Sequence, residues 1–376
     1  MNKNFYLILL IGAFLALFEA QPTLADPEPG RPLGDSSVLS SVPAPGYPEG
    51  IAVRKGLVYT SGPAAFVPGT GDPKIFAFDI NTGNLVKTIT VLNQQLPYQT
   101  LSCITFGKKD DLYAVGLQNI IKINLKTGEQ SVYAAPFYPV YHSANSPPAP
   151  FLLNDLAFDD KGFLYVTDSF QATIWRVPPG GGAPEVWFQD ARLDGIYGAN
   201  GIRINPKDKR LYVSVTWDNF LSFRGYVYSL PLTKAGEAPT WADLRLEHTY
   251  KPSFPPPNGA SLPAQGPDGI AFGKSGKLYV ALAGFSQISV LMPDGTQEGR
   301  YGIEEVRYFG PAGNPGDLAN PLPWSNPANI AFNDKSGALL VTNHASIVPF
   351  DPGLFKVFDV YVNDKAGKLF EGGGDD

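Results

Sequence analysis

The sequence predicts an all-β chain folded as a six-bladed β-propeller with four-stranded blades. Three observations point there. A strand-turn-strand unit, seen most clearly in FLLNDLAFDDKGFLYVTD at 151–168, recurs six times along the chain. The copies lie about 46 to 68 residues apart, and a spacing near 50 suits propeller blades. Gly and Pro, 40 and 36 of 376 residues, make up about a fifth of the chain, as many short strands joined by turns require.

In chain order, residues 1–25 read as a signal peptide. Lys3 supplies a positive start, and Phe5 to Phe18 is a 14-residue apolar run, too short to span a bilayer comfortably. Thr23-Leu24-Ala25 places small residues at the cleavage positions, so cleavage is expected after Ala25. No later stretch is long and apolar enough to span a membrane, and the mature protein is expected to be secreted or periplasmic. Residues 26–45 are rich in Pro, Gly and Ser and read as a flexible leader. Residues 46–376 then form one domain.

The six copies begin at Glu49-Gly50-Ile51, Ser102-Cys103-Ile104, Asn154-Asp155-Leu156, Asn200-Gly201-Ile202, Asp268-Gly269-Ile270 and Ala328-Asn329-Ile330. Each is followed by a second apolar run, such as Leu112-Tyr113-Ala114-Val115 or Leu278-Tyr279-Val280-Ala281. Further strand pairs fit between copies, around the turns Asn81-Thr82-Gly83, Thr127-Gly128, Gly180-Gly181-Gly182 and Asp294-Gly295. Two closures of the ring are open. The C-terminal strands, ending in Lys368-Leu369-Phe370, complete blade six alone, or residues 37–42 add a strand. Two long connections, 217–265 with its Pro-rich stretch and 310–327, are candidates for walls of a site.

Composition narrows the function. A net charge of -6 and 17% charged residues argue against nucleic acid as a partner. The single cysteine, Cys103, excludes an intramolecular disulfide and a Cys-rich zinc site, and its apolar surroundings predict a buried, inert thiol. There is no GxSxG elbow, HExxH, P-loop or GxGxxG after a strand.

The chemistry lies in the repeat. The first strand of each blade lines the central channel, so the residue just before it sits at one mouth. Around the ring these positions are Glu49, Ser102, Asn154, Asn200, Asp268 and Ala328. Glu49 and Asp268 offer carboxylates; Asn154 and Asn200 offer amide oxygens. Two carboxylates converging on an axis repel unless a cation lies between them. This hard-oxygen set suits Ca²⁺, with Mg²⁺, Mn²⁺ or Zn²⁺ as alternatives. Asp268 can also serve as base or nucleophile. The loops on the same mouth bring His344 as a shuttling base, with His142 at the same end. Asp155 is placed to orient Asn154 or a bound water, and Asn329, Ser102 and Asp168 to contact substrate or water. Tyr47, Tyr197, Phe254 and Trp324 are candidates for an apolar pocket.

The segments Tyr47-Pro48-Glu49-Gly50, Leu153-Asn154-Asp155, Ala199-Asn200-Gly201-Ile202 and Gly266-Pro267-Asp268-Gly269-Ile270 resemble the SMP-30/gluconolactonase group of six-bladed propellers. Paraoxonases and diisopropylfluorophosphatase are its more distant relatives. The resemblance implies that Glu49, Asn154, Asn200 and Asp268 bind a catalytic Ca²⁺ or similar ion. It implies hydrolysis of lactones, other esters or phosphotriesters. The expectation is a secreted, metal-dependent hydrolase of lactone or ester bonds that works as a monomer. A non-catalytic propeller that binds a ligand or protein partner, with a structural ion, is one alternative. A strictosidine-synthase-like propeller enzyme without metal is the other.

Overall fold

The structure, a computed structural model, describes residues 31–64, 71–92, 100–141, 145, 152–256, 260, 262–302, 324–345 and 352–370. The signal segment and His142 lie outside the described residues, as does most of the 310–327 connection.

Strand β1 (Ser36–Ser41) precedes the blades. Blade one is β2 (Ile51–Arg54), β3 (Leu57–Gly62), β4 (Lys74–Asp79) and β5 (Leu85–Thr90). Blade two is β6 (Ile104–Phe106), β7 (Asp111–Val115), β8 (Ile120–Asn124) and β9 (Gln130–Ala134). Blade three is β10 (Leu153–Phe158), β11 (Leu164–Asp168), β12 (Thr173–Val177) and β13 (Glu185–Gln189). Blade four is β14 (Tyr197–Asn205), β15 (Arg210–Trp217), β16 (Gly225–Pro231) and β17 (Arg245–Tyr250). Blade five is β18 (Pro267–Phe272), β19 (Leu278–Leu282), β20 (Gln287–Leu291) and β21 (Gln297–Gly302). Blade six takes β22 (Pro327–Asn333), β23 (Ala338–Asn343) and β24 (Lys356–Tyr361), and β1 is its fourth strand. All six sheets are antiparallel and four-stranded. Consecutive inner strands touch around the whole ring, β22 against β2 included, which makes it a six-bladed β-propeller.

Of the two closures left open, the structure takes the one in which a strand from near the N-terminus joins blade six. Ser36–Ser41, close to the 37–42 expected and inside the stretch read as leader, pairs with β24 from Ser36↔Val360 to Ser41↔Lys356. Lys368-Leu369-Phe370 form no strand. The edge of β24 would otherwise present unpaired backbone groups, and a strand from the other end of the chain covers it. Arg31 reinforces the junction, with ion pairs of 2.6 Å to both Asp35 and Asp359. The turn glycine Gly83 (φ +69°) packs against Leu39, leaving no room for a Cβ, and its carbonyl accepts from Ser40 Oγ at 2.8 Å.

The core lies between the blades rather than inside any one of them. Among the described residues, apolar clusters fill each of the six gaps. Tyr165, Ile174, Trp187, Ile202 and Val213 join blades three and four. Cys103, Tyr113, Leu156 and Trp175 join blades two and three. Ile51, Phe76, Leu340 and Val357 join blades six and one. Trp175 and Trp187 are essentially fully buried, so truncating either to alanine would cost about 3–5 kcal/mol. Because each face of a sheet packs on a neighbour, the second strands are buried along their length, as in Leu164–Asp168 and Leu278–Leu282. The sequence accordingly shows continuous apolar runs there instead of alternation. Among the described residues no helix is long and apolar enough to cross a membrane.

Candidate metal centre

Four of the six ring residues, Asn154, Asn200, Asp268 and Ala328, occupy β-bulges. In blade three Leu153 pairs with Asp168 and Leu156 with Val166, so Asn154 and Asp155 together face the single residue Thr167. The same irregularity sets Asn200 and Gly201 against Ser214, Asp268 and Gly269 against Ala281, and Ala328 and Asn329 against Thr342. A bulge bends the strand and re-aims its side chains.

A hydroxyl locks several of these bulges to the next blade. Thr167 Oγ1 accepts from Asp155 N at 3.0 Å and donates to Asn200 O at 2.5 Å. Ser214 Oγ accepts from Gly201 N at 2.8 Å and donates to Asp268 O at 2.6 Å. Thr342 Oγ1 accepts from Asn329 N at 2.9 Å and donates to Glu49 O at 2.7 Å. Ser61 does the same from Gly50 N, at 3.0 Å, to Ser102 O, at 3.3 Å. Glu49, Asn200 and Asp268 are thus each fixed at the backbone by the preceding blade.

The side chains are held as well. Asn154 Nδ2 donates to Ser169 Oγ at 3.1 Å, and that hydroxyl donates to Ala199 O at 2.7 Å. Asn200 Nδ2 donates to Thr216 Oγ1 at 2.9 Å. With each amide nitrogen anchored, the carboxamide oxygens are left as acceptors. Glu49, Asn154 and Asn200 are buried and Asp268 is half-buried. Burial, then the charges of Asp268 and Asp155, push the Glu49 carboxyl well above the usual carboxylate range. Burial and then Asp155 push Asp268 up in the same way, against hydrogen bonds from Asn200 and the Gly269 amide. A buried Glu49 carboxyl raised by Asp268 and Asp155, a half-buried Asp268 raised by Asp155, and two asparagines whose amide nitrogens are tied to hydroxyls make up a donor set that fits a hard divalent cation. Among the described residues no three His, Cys, Asp or Glu side chains are grouped to hold a metal. An ion here would therefore depend on the asparagine oxygens.

The other predicted residues separate into three groups. His344 lies at the ring, with Nε2 3.6 Å from Glu49 Oε2 and the Tyr47 ring edge-on at 5.8 Å between centroids. Burial lowers its pKa to about 4, and its buried Nε2 has no hydrogen-bond partner among the described residues. Asp155 and Asn329 lie one residue further along their strands and turn to Arg203. Its Nη1 donates to Asp155 Oδ2 at 2.7 Å and its Nη2 to Asn329 Oδ1 at 3.3 Å. Asn329 Nδ2 donates to Cys103 Sγ at 3.2 Å, and the thiol is buried as expected. The glycines at this level make the room: a Cβ on Gly269 would sit 2.6 Å from Asn329 Cγ.

Ser102 and Asp168 are spent on the scaffold. Ser102 Oγ donates to Leu153 O at 3.0 Å. Asp168 is fully buried and accepts from Leu152 N at 2.9 Å and Phe170 N at 3.2 Å, with burial raising its pKa to about 6. Of the aromatics, Tyr197 feels the charge of Glu49, whereas Trp324 is buried against Phe358 and Phe254 is 70% exposed.

The family follows from comparison with known proteins. A profile described as the SMP-30/Gluconolactonase/LRE-like region matches residues 71–309. The chain belongs to this family. The matched span holds Asn154, Asn200 and Asp268, while Glu49 and His344 fall on either side of it. No curated protein sequence matches. Among solved structures, the family member is similar to regucalcin from Agrobacterium tumefaciens, described as a calcium-binding protein. The identity is 15%, the TM-score 0.61, and the coverage 90% of this chain and 97% of that one. It is also similar to a gluconolactonase from Xanthomonas campestris, at 15% identity and TM-score 0.53, covering 88% and 90%. A luciferin-regenerating enzyme matches at 14% identity and TM-score 0.58, covering 87% and 95%. These likenesses establish the propeller fold.

Sequence reasoning missed Arg203, Ser169, Ser214, Thr216 and Thr342. Arg203 had a visible signal. The residue after the conserved-type Ile or Leu is Ala52, Thr105, Ala157, Ala271 or Ala331 in the other copies, and only blade four carries a long cation there. The hydroxyls had none, since Ser and Thr are ordinary strand residues.

Proposed function

We propose that this propeller is an exported hydrolase of lactones or related esters, working as a monomer with a divalent ion, Ca²⁺ in the first instance. The ion would be held by Glu49, Asn154, Asn200 and Asp268. One observation carries the reading: the Glu49 carboxyl, buried and raised by Asp268, meets at the ring two asparagines whose amide nitrogens are tied to hydroxyls. Membership of the SMP-30/gluconolactonase family supports the lactone class, and the calcium-binding and gluconolactonase neighbours accord with it. The N-terminal apolar run supports export.

The ion would polarise the scissile carbonyl and offset the charge that develops on its oxygen. The chain supplies the proton chemistry. Asp268 is the one half-buried ring ligand, so its carboxylate borders both ion and substrate, and it takes the proton of the attacking water. His344 remains neutral down to about pH 4, so its Nε2 is a ready second acceptor beside Glu49. Tyr47 packs edge-on to His344, and Tyr197, itself half-buried, lies within reach of the Glu49 charge.

The test is a panel of γ- and δ-lactones and simple aryl esters, assayed with and without chelator. Chelator-sensitive turnover that Asn154→Ala removes is the expected result. Ca²⁺-dependent stability with no turnover on any substrate would leave the ion a structural role and sink the hydrolase. Size-exclusion chromatography with light scattering checks the monomer, and the N-terminal sequence of the exported protein checks cleavage after Ala25.

A further inference from the structure

Behind the ring, the channel contains a charge of the protein's own. Arg203 extends from blade four at the level where the other copies carry alanine or threonine. Its guanidinium meets Asp155 of blade three, Asn329 of blade six and its neighbour's Ile202 O, the last at 2.6 Å. Asp155 is fully buried; Oδ2 also accepts from Ile202 N at 3.1 Å, and Oδ1 accepts from Leu156 N at 2.7 Å. Both oxygens of Asp155 are thereby committed to the scaffold. Its charge nevertheless acts on both ring carboxyls, Glu49 and Asp268. Asp155 thus adds a third carboxylate charge beside Glu49 and Asp268, and among the described residues it alone of the three is ion-paired with an arginine or lysine.

We propose that Arg203 is the resident cation of the channel. Paired with Asp155, it cancels the third carboxylate, limits the charge presented at the mouth to that of Glu49 and Asp268, and so sets the affinity for the divalent ion. This rests on the cation reading of the ring and adds a residue that touches neither ion nor substrate. The sign of its effect is unusual. A side chain that merely supports the site weakens ion binding when removed; a nearby positive charge strengthens it when removed.

The test is Ca²⁺ affinity by isothermal titration calorimetry at pH 8, with no substrate present. Arg203→Met tightens binding on the order of tenfold, and Arg203→Lys, which keeps the charge, stays near wild type. Asp155→Asn leaves the guanidinium unopposed and loosens binding on the order of tenfold. Adding Arg203→Met to Asp155→Asn restores it. The double variant has no unpaired buried charge, so it tests the proposal even if Arg203→Met alone folds poorly. For the single variant, the rise in Tm on adding Ca²⁺ should exceed that of wild type. Equal or weaker binding in Arg203→Met, or no recovery in the double variant, overturns the role of Arg203 while the metal centre stands. A wild-type protein that binds no divalent ion overturns both.

Discussion

The two mouths of the channel are built from the same six inner strands and have opposite characters. At the entrance the strands present Asn154, Asn200 and Asp268 on bulged backbone, with Glu49 just ahead of β2. At the far end the same strands present apolar side chains around a cavity of about 380 Å³, with Ile51, Phe158, Phe272 and Phe332 in its wall and Leu369 and Phe370 across it. This cavity is therefore distinct from the candidate metal centre. Size follows from the taper of the blades and the small residues at Ala52, Ala157, Ala271 and Ala331. Chemistry follows from bulges that turn polar side chains inward, where neighbouring hydroxyls fix them. Arg203 touches both levels, lining the far cavity while its guanidinium pairs with Asp155.

This comparison can be broken or sharpened at four points. The largest effect is expected at the entrance. Asp268→Ala should lower kcat/KM for the best lactone by about 10²- to 10⁴-fold, the range for loss of a positioned base. A loss below tenfold would remove Asp268 from the proton chemistry. Next, the hydroxyl that orients Asn200 should matter almost as much as a ligand. Thr216→Val, which keeps the shape and deletes the acceptor, should weaken Ca²⁺ binding about tenfold by calorimetry, as loss of an outer partner does.

The third point is pH. In the ion-free protein the folded pKa values of Glu49 and Asp268 are raised, so the folded state binds more protons than the unfolded chain. Their contribution is fully present below the ordinary carboxylate pKa of about 4 and is lost as pH rises through the folded values. Thermal melts of chelated protein should therefore lose stability with rising pH above about pH 4. Glu49→Gln should flatten that slope, and saturating Ca²⁺ should remove it. His344 has the opposite sign: its depressed pKa, about 4, costs stability as pH falls below its ordinary value. The smallest effect is expected at the far end. Leu369 is 61% exposed, so Leu369→Ala should change stability by no more than about 0.5 kcal/mol and leave Ca²⁺ affinity unaltered. A measurable change in affinity would mean that the two mouths communicate through Arg203.

How much of this was legible in the sequence differs by residue. The repeat was legible because every blade must bury both faces of its inner strands, and that demand leaves the same apolar run six times. The register of Asn154, Asn200 and Asp268 was legible for the same reason. The destinations of Asp155, Asn329 and Asp168 were not, because neighbours in one strand are sent to different partners by a bulge that no local pattern announces. Ser36–Ser41 was legible only as one of two closures, since pairing with β24, more than 300 residues later, is what makes it a strand.

Sequence alone determined the blade count and the apolar layers between blades, because periodic burial writes itself into residue type. Tertiary structure alone decided which strand closes the ring, which hydroxyl clamps which ligand and that Arg203 neutralises Asp155. Each of those is a contact between blades, and the residues that make it are set by geometry across the ring rather than by any preference of the local chain.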